Sequence, residues 1–324
     1  HRGGLSYTPY RCILPRGLDG LLVVGLGLSA HRDAIPSVRM QPCLQNLGYA
    51  AGRAAAMAAK GGLPTRGIDL KALQAHLVEI KCLTPDVPEH VDSYPLPGAE
   101  LEAAAGQLAE KDYAKLGLLM ADVERSLPLL RAAYASAATP EGKLRVAHIL
   151  GMLGDGTGIE TLIAVIGGTE DYGEENISYY FPNITWLDSY ILAAGFSRDR
   201  RALPVLHARA EKLFSQASGE WKHVRSMLMA LEAQGSKESL PLVAAYAKKP
   251  GRIRPAIRDV ITDVRQRNRS GSLELVVSRV LYNLGDSDGF AEAVLHDFSQ
   301  DVRGHYRRHA LAVLAQGPGK ALRP

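Results

Sequence analysis

Ala202-Leu203-Pro204-Val205-Leu206 and, 37 residues later, Ser239-Leu240-Pro241-Leu242-Val243 are the stretches on which the fold turns. Ser126-Leu127-Pro128-Leu129-Leu130 is an earlier copy. In each, a proline opens an apolar run. Proline suits the first turn of a helix, where its missing N–H has no intrahelical partner to lose. Glycines at 154, 195, 235 and 285, spaced by 41, 40 and 50, each close an apolar run and precede a polar turn. Leu153-Gly154-Asp155 and Leu284-Gly285-Asp286 read as helix ends, with glycine in the left-handed position and Asp or Ser capping the next helix. A helix, a glycine turn and a proline-started helix thus recur about every 40 residues.

That period resembles HEAT repeats over roughly residues 99–317. The resemblance implies an α-solenoid of stacked helix pairs, each too small to bury its apolar face alone, with a concave face open to a protein partner. The chain is expected to be mainly α. Leu83-Thr84-Pro85-Asp86-Val87-Pro88 and Tyr94-Pro95-Leu96-Pro97-Gly98 carry four prolines that no helix continues through. They define a linker over 83–98 between a segment at 1–82 and the helical domain at 99–324.

Composition sets the outer limits. Of 324 residues, 46% are hydrophobic and 22% charged, an ordinary soluble balance. A net charge of +4 does not call for nucleic acid. No run of about 18 apolar residues free of charge is present, so a membrane-spanning helix is not expected. Three scattered cysteines, Cys12, Cys43 and Cys82, make neither a disulfide framework nor a zinc site. The histidines at 148, 207, 223 and 296 stand singly, without the i, i+4 pairing of a metal site. Arg252, Arg254, Arg258, Arg265, Arg267 and Arg269, and the second group of Arg303, His305, Arg307, Arg308 and His309, read as solvated helix faces because few aromatics interleave them.

The first eighty residues read differently. Gly20-Leu21-Leu22-Val23-Val24-Gly25-Leu26-Gly27-Leu28-Ser29-Ala30 has the form of a buried strand entering a glycine turn. Gly25, Gly27 and Ala30 have the spacing of a dinucleotide fingerprint, but the adjoining His31-Arg32-Asp33-Ala34-Ile35-Pro36 is a proline-broken loop rather than a helix start. A long helix begins later, near Pro42. Gly48, Ala51, Gly52 and Ala55 share one of its faces, where a backbone or flat ligand can approach closely. Its N-terminus, Gln41 to Asn46, offers free N–H groups and the positive end of a helix dipole.

Pro9-Tyr10-Arg11, Leu21–Gly25, Ser29-Ala30-His31, Ser37-Val38-Arg39-Met40, Pro42, Leu47-Gly48 and Ala50-Ala51-Gly52 occur in the order and spacing of blocks near the C-terminal end of bacterial FAD-dependent oxidoreductases. Residues 7–80 resemble that family. The resemblance implies a small α/β, Rossmann-like remnant, an FAD cofactor, and hydride transfer with an unknown small-molecule substrate. Carried onto this chain, the cofactor side comprises Gly25, Gly27, Pro42, Gln45, Asn46 and Gly48. His31 becomes the proton donor near the ring, and Arg39 holds a carboxylate or a flavin carbonyl. Leu26 departs from the arginine usual after the strand glycine. The family's strand–GxGxxG–helix, which holds the FAD diphosphate, is not found in this sequence, so the isolated chain is expected to be inactive and to bind FAD weakly. The alternative is a non-catalytic α-solenoid that binds a protein.

Overall fold

A computed structural model describes residues 7–30, 34–90, 95–173, 184–216, 221–259, 270–286 and 288–320. Among them are fifteen helices and no strand. The chain forms two compact units, residues 1–95 and 96–324.

The first unit holds α1 (Ile35–Val38), α2 (Gln41–Gly61) and α3 (Leu70–Glu79). Asp69 caps α3 by accepting from the Ala72 N–H at 3.0 Å. Gly62, at φ +61°, ends α2 in the left-handed conformation that glycine adopts without steric cost. The core is small: Ala54, Leu73 and Leu77, with Tyr10, Leu22, Met57, Ile68 and Leu83 packed around them. The expected strand at 21–24 is absent. The Val23 N–H donates to the Ile13 carbonyl (2.9 Å), with no ladder beside it. An apolar run becomes a strand only where another extended backbone pairs with it along its length.

The regular elements described in the second unit are helices: α4 (Gly98–Glu110), α5 (Leu116–Ala121), α6 (Val123–Ser136), α7 (Pro140–Met152), α8 (Ile159–Gly168), α9 (Trp186–Phe196), α10 (Leu203–Ser215), α11 (Trp221–Gln234), α12 (Leu240–Ala247), α13 (Ser272–Leu284), α14 (Phe290–Phe298) and α15 (Gly304–Gln316). One row runs α4–α7–α9–α11–α13–α15, each helix packed on the next. A second set, α8, α10 and α12, stacks alongside it. Two apolar clusters fill the space between, the larger running from Ala147 to Val313.

The proline motifs open helices at two of three sites. Pro204 and Pro241 lie in the first turns of α10 and α12. Pro128 instead lies inside α6, which starts five residues earlier at Val123 because the Asp122 side chain caps it. The glycines also divide. Gly154, Gly235 and Gly285 have φ of +84°, +63° and +92° at helix ends. Gly195 is a correction: it lies within α9, and the left-handed residue after that helix is Arg198, at φ +56°. Gly195 is needed for contact rather than for turning. A Cβ there would stand 2.4 Å from Ala230 Cα on α11. Gly151 meets the Ala193 carbonyl in the same way, at 2.7 Å.

Long donors tie each pair to the one before. Arg145 donates to the carbonyls of Leu108 (2.8 Å) and Ala109 (3.0 Å), Arg209 to Ile166 (2.6 Å), Gln234 to Ala194 (2.8 Å) and Lys249 to Phe214 (2.6 Å). These acceptors lie in the last turns of α4, α8, α9 and α10, where carbonyls have no intrahelical partner.

Candidate functional site

In the first unit, residues 10–29 fold back on themselves around a short turn at Tyr10–Ile13. The Ser29 N–H donates to the Cys12 carbonyl (2.7 Å), beside the Val23–Ile13 bond. The Tyr10 hydroxyl donates to the Thr65 carbonyl (2.8 Å), and burial raises its pKa. Arg66 straps the loop between them, donating to Asp19 (2.9 Å) and to the carbonyls of Leu18 (3.0 Å) and Pro15. Asp19 is thus a turn residue held by an ion pair.

Gly25–Gly27 forms a single 3₁₀ turn packed against α2. Gly25 has φ +72°, which favours glycine. At Gly27 a Cβ would crowd Val23 Cγ1 at 3.1 Å. Helix α2 begins at Gln41, with Pro42 in its first turn. Its N-cap, Met40, offers no side-chain acceptor, so the first-turn N–H groups are not capped. Pro42, Gln45 and Asn46 are exposed there, and Arg39 is exposed just before. Ala51, Ala54 and Ala58 turn inward. Gly48 and Gly52 lie on the outer side, where an added Cβ would meet nothing within 4 Å. The structure therefore divides the small-residue face: Ala51 packs inward while the two glycines stay open. It brings the glycine turn against α2; His31 lies outside the described residues.

Four residues in or beside the basic clusters of the second unit are paired with carboxylates. Arg254 pairs with buried Glu274 (2.7 Å), Arg303 with buried Asp301 (2.7 Å), Arg258 with Asp297 (2.7 Å), and Lys248 with Asp288. Arg252 stacks on Tyr246, 4.5 Å from the ring centre. Arg265, Arg267 and Arg269 lie outside the described residues. Among the described residues no group of three or more His, Cys, Asp or Glu could hold a metal ion.

Three histidines that look solitary in sequence find partners on an adjacent pair. His148 Nε2 bonds Ser189 Oγ (2.7 Å) and its Nδ1 the Tyr113 hydroxyl (3.1 Å). Burial lowers the His148 pKa to about 4, so the ring is neutral. The same burial raises the pKa of Tyr113. His223 Nδ1 bonds the fully buried Asp188 carboxylate (2.9 Å), and His207 bonds Ser239 (2.8 Å). Asp188 also accepts from Thr185, closing the capping box of α9. Sequence reading misses these pairs, although separations of 32 to 41 residues match the repeat period. A cavity of about 260 Å³ opens beside them, lined in part by Tyr172, Trp186 and Tyr190; neither Ser189 nor His148 lines it.

A family model described as FAD dependent oxidoreductase matches residues 5–77. No curated protein and no solved structure matches the chain. The match falls on the glycine turn, α2 and most of α3. The N-terminal region of this chain is therefore FAD-dependent-oxidoreductase-like, and in that family FAD is the cofactor.

Proposed function

We propose that residues 1–82 form the ring-side segment of an FAD-dependent oxidoreductase, joined through 83–98 to a HEAT-like α-solenoid that docks a protein partner. The observation that carries the reading is the pairing of the family match at 5–77 with a helix, α2, that has an uncapped start and two open glycines and against which the Gly25–Gly27 turn packs. These residues fit a flat ring. Gly48 and Gly52 leave backbone uncovered where any side chain would fill the space. The N–H groups at the start of α2, around Pro42, Gln45 and Asn46, favour negative charge on a ring carbonyl. Arg39, exposed at the entrance to α2, supplies a fork for a substrate carboxylate or a ring carbonyl. His31 is assigned the proton transfer. Bound flavin would supply the hydride acceptor. A diphosphate finds no comparable cradle in this sequence, since no strand–GxGxxG–helix is present.

The test is flavin binding by the 324-residue chain. Riboflavin, which has no phosphate, is expected to bind about as well as FAD, both weakly, with the reduced forms favoured over the oxidised. Gly48→Leu, which fills the open face, is expected to remove binding with helical circular dichroism unchanged. Stoichiometric, tight FAD binding would show that a diphosphate site exists in these residues. Flavin binding unaffected by Gly48→Leu would place the ring elsewhere.

The second reading is a solenoid whose N-terminal unit is a non-catalytic cap. It is favoured by the placement of both described cavities in the second unit. Turnover by any flavin-loaded form of the chain would exclude it.

A further inference from the structure

The row α4–α7–α9–α11–α13–α15 begins at α4 and finishes at α15, and both helices present to solvent side chains that stacking on a further helix would bury. Between α4 and α6 lies an open groove of about 300 Å³. Its floor is Ala105, Ala109 and Ala133, all buried, with half-buried Gly106 beside them. These residues are too small to fill the space between two helices, space that close packing elsewhere removes. The exposed carboxylates of Glu102 and Glu110 stand four residues, one turn, to either side of Gly106 along α4. No lysine, arginine or histidine is among the residues that line the groove.

The last helix carries the opposite pattern. No Asp or Glu occurs in α15. Arg307 and Arg308 are exposed on it, and Leu311, one turn later, keeps 46% of its surface in solvent. Ala310 and Val313 are buried, so Arg307, Arg308, Leu311 and Ala315 make up the outer face. Of the four large apolar side chains exposed in the described second unit, Met120, Met152, Val302 and Leu311, two belong to this end. Past α15 the chain returns to α13, where the Gly319 N–H donates to the Tyr282 carbonyl (2.9 Å). Among the described residues no ion pair or hydrogen bond engages the side chains of Glu102, Glu110, Arg307 or Arg308.

We propose that the α15 end of one copy docks in the α4–α6 groove of the next, so that the chain associates head to tail with itself. Leu311 is the kind of side chain that the groove lacks. Seated over Gly106, it brings Arg307 and Arg308, four and three residues before it, over one of the two carboxylates, because one turn separates anchor from charge on both helices. Burial of the apolar anchor supplies affinity, while the charges set the register and keep like ends apart. The contact joins two different surfaces, so each added copy leaves an end free and growth continues unless the last copy meets the first. It uses the ends of the row and rests on neither the flavin reading nor a partner on the concave face.

Sedimentation velocity of the full chain over a concentration series tests this, and the average mass is expected to rise with concentration. At Gly106 an added Cβ meets nothing within 4 Å, so α4 tolerates Gly106→Leu. That change fills the groove and is expected to weaken association about tenfold or more with circular dichroism unchanged. Leu311→Gln, at an exposed position, is expected to do the same. Two charge-swapped chains supply the decisive arm. Glu102→Arg with Glu110→Arg in one chain, and Arg307→Glu with Arg308→Glu in another, should each leave the protein monomeric. An equimolar mixture should recover association, because every contact between the two chains then joins opposite charges. Adding Gly106→Leu to both should remove it again. A parent chain that stays monomeric at millimolar concentration, association unchanged by Gly106→Leu, or swapped chains that remain monomeric when mixed would each overturn the proposal.

Discussion

Replacing Gly195 by alanine sets two opposing effects against each other at one atom. Alanine is the better helix former, by about 1 kcal/mol. Its methyl, however, would stand 2.4 Å from Ala230 Cα, 2.6 Å from Ala230 Cβ and 2.7 Å from the Ala230 carbonyl oxygen. Ordinary contact begins near 3.4 Å, and the obstacle is mostly backbone. Helices α9 and α11 would have to separate by roughly 1 Å along the most extensive helix contact of the unit. Overpacking of this kind costs about 1–3 kcal/mol and more where backbone must move, so steric cost wins and the net loss is about 1–2 kcal/mol. For a unit of this size that lowers Tm by about 2–4 °C per kcal/mol. Gly52→Ala is the matched control. Gly52 lies within α2, and nothing stands within 4 Å of an added Cβ, so the same exchange there stabilises by about 0.5–1 kcal/mol. Urea unfolding followed by far-UV circular dichroism reads both signs. A Gly195→Ala protein as stable as the parent would refute the contact geometry.

Four further outcomes are expected. The neutral form of His148 is favoured in the folded chain, so its contribution is complete above pH ~6.5 and is lost as pH falls toward about 4; between pH 7 and pH 5 the stability difference between parent and His148→Gln should shrink by about 2 kcal/mol, and a pH-independent difference would contradict the burial. Glu232→Ala removes a buried carboxylate that accepts from half-buried Arg279 (2.9 and 2.8 Å) and from buried Asn283 (2.8 Å), and should cost about 1–3 kcal/mol in denaturant unfolding. Gly235→Val places a branched side chain at φ +63° and should cost at least ~1 kcal/mol by the same assay. A chain shortened to begin at Pro97 should remain helical and melt cooperatively, whereas aggregation with loss of helical signal would show that the two units need each other.

Much of the helical unit is legible in the sequence, because glycine, proline and cap residues act locally. Gly235 and Gly285 end helices for reasons contained in a few neighbouring residues. Gly195 misleads because its reason lies 35 residues away, at Ala230, and a contact between helices leaves no local mark. Pro128 misleads because Asp122 starts its helix a turn and a half earlier than the motif suggests. The strand at 21–24 fails for a related cause: apolarity describes a readiness to pair, and pairing needs a second backbone. Of the candidate site, the start of α2 and the glycine turn are legible because helix starts and positive φ have residue signatures. The aromatic cavity is not, since Tyr172, Trp186 and Tyr190 come together only when α8 and α9 pack.

The donors that reach back from Arg145, Arg209, Gln234 and Lys249 give the helical unit a direction. Each plugs a carbonyl in the last turn of a helix that the ribosome made 35 to 43 residues earlier. During synthesis, every one of those helices emerges with a frayed end and waits for a side chain that does not yet exist. Its completion is delayed by one repeat, so the nascent unit is always least finished at the point nearest the ribosome exit. A stop codon that removes one pair would therefore also undo the last turn of the pair before it. The same codon leaves earlier pairs intact, so damage from such truncations should grow in steps of one repeat rather than residue by residue.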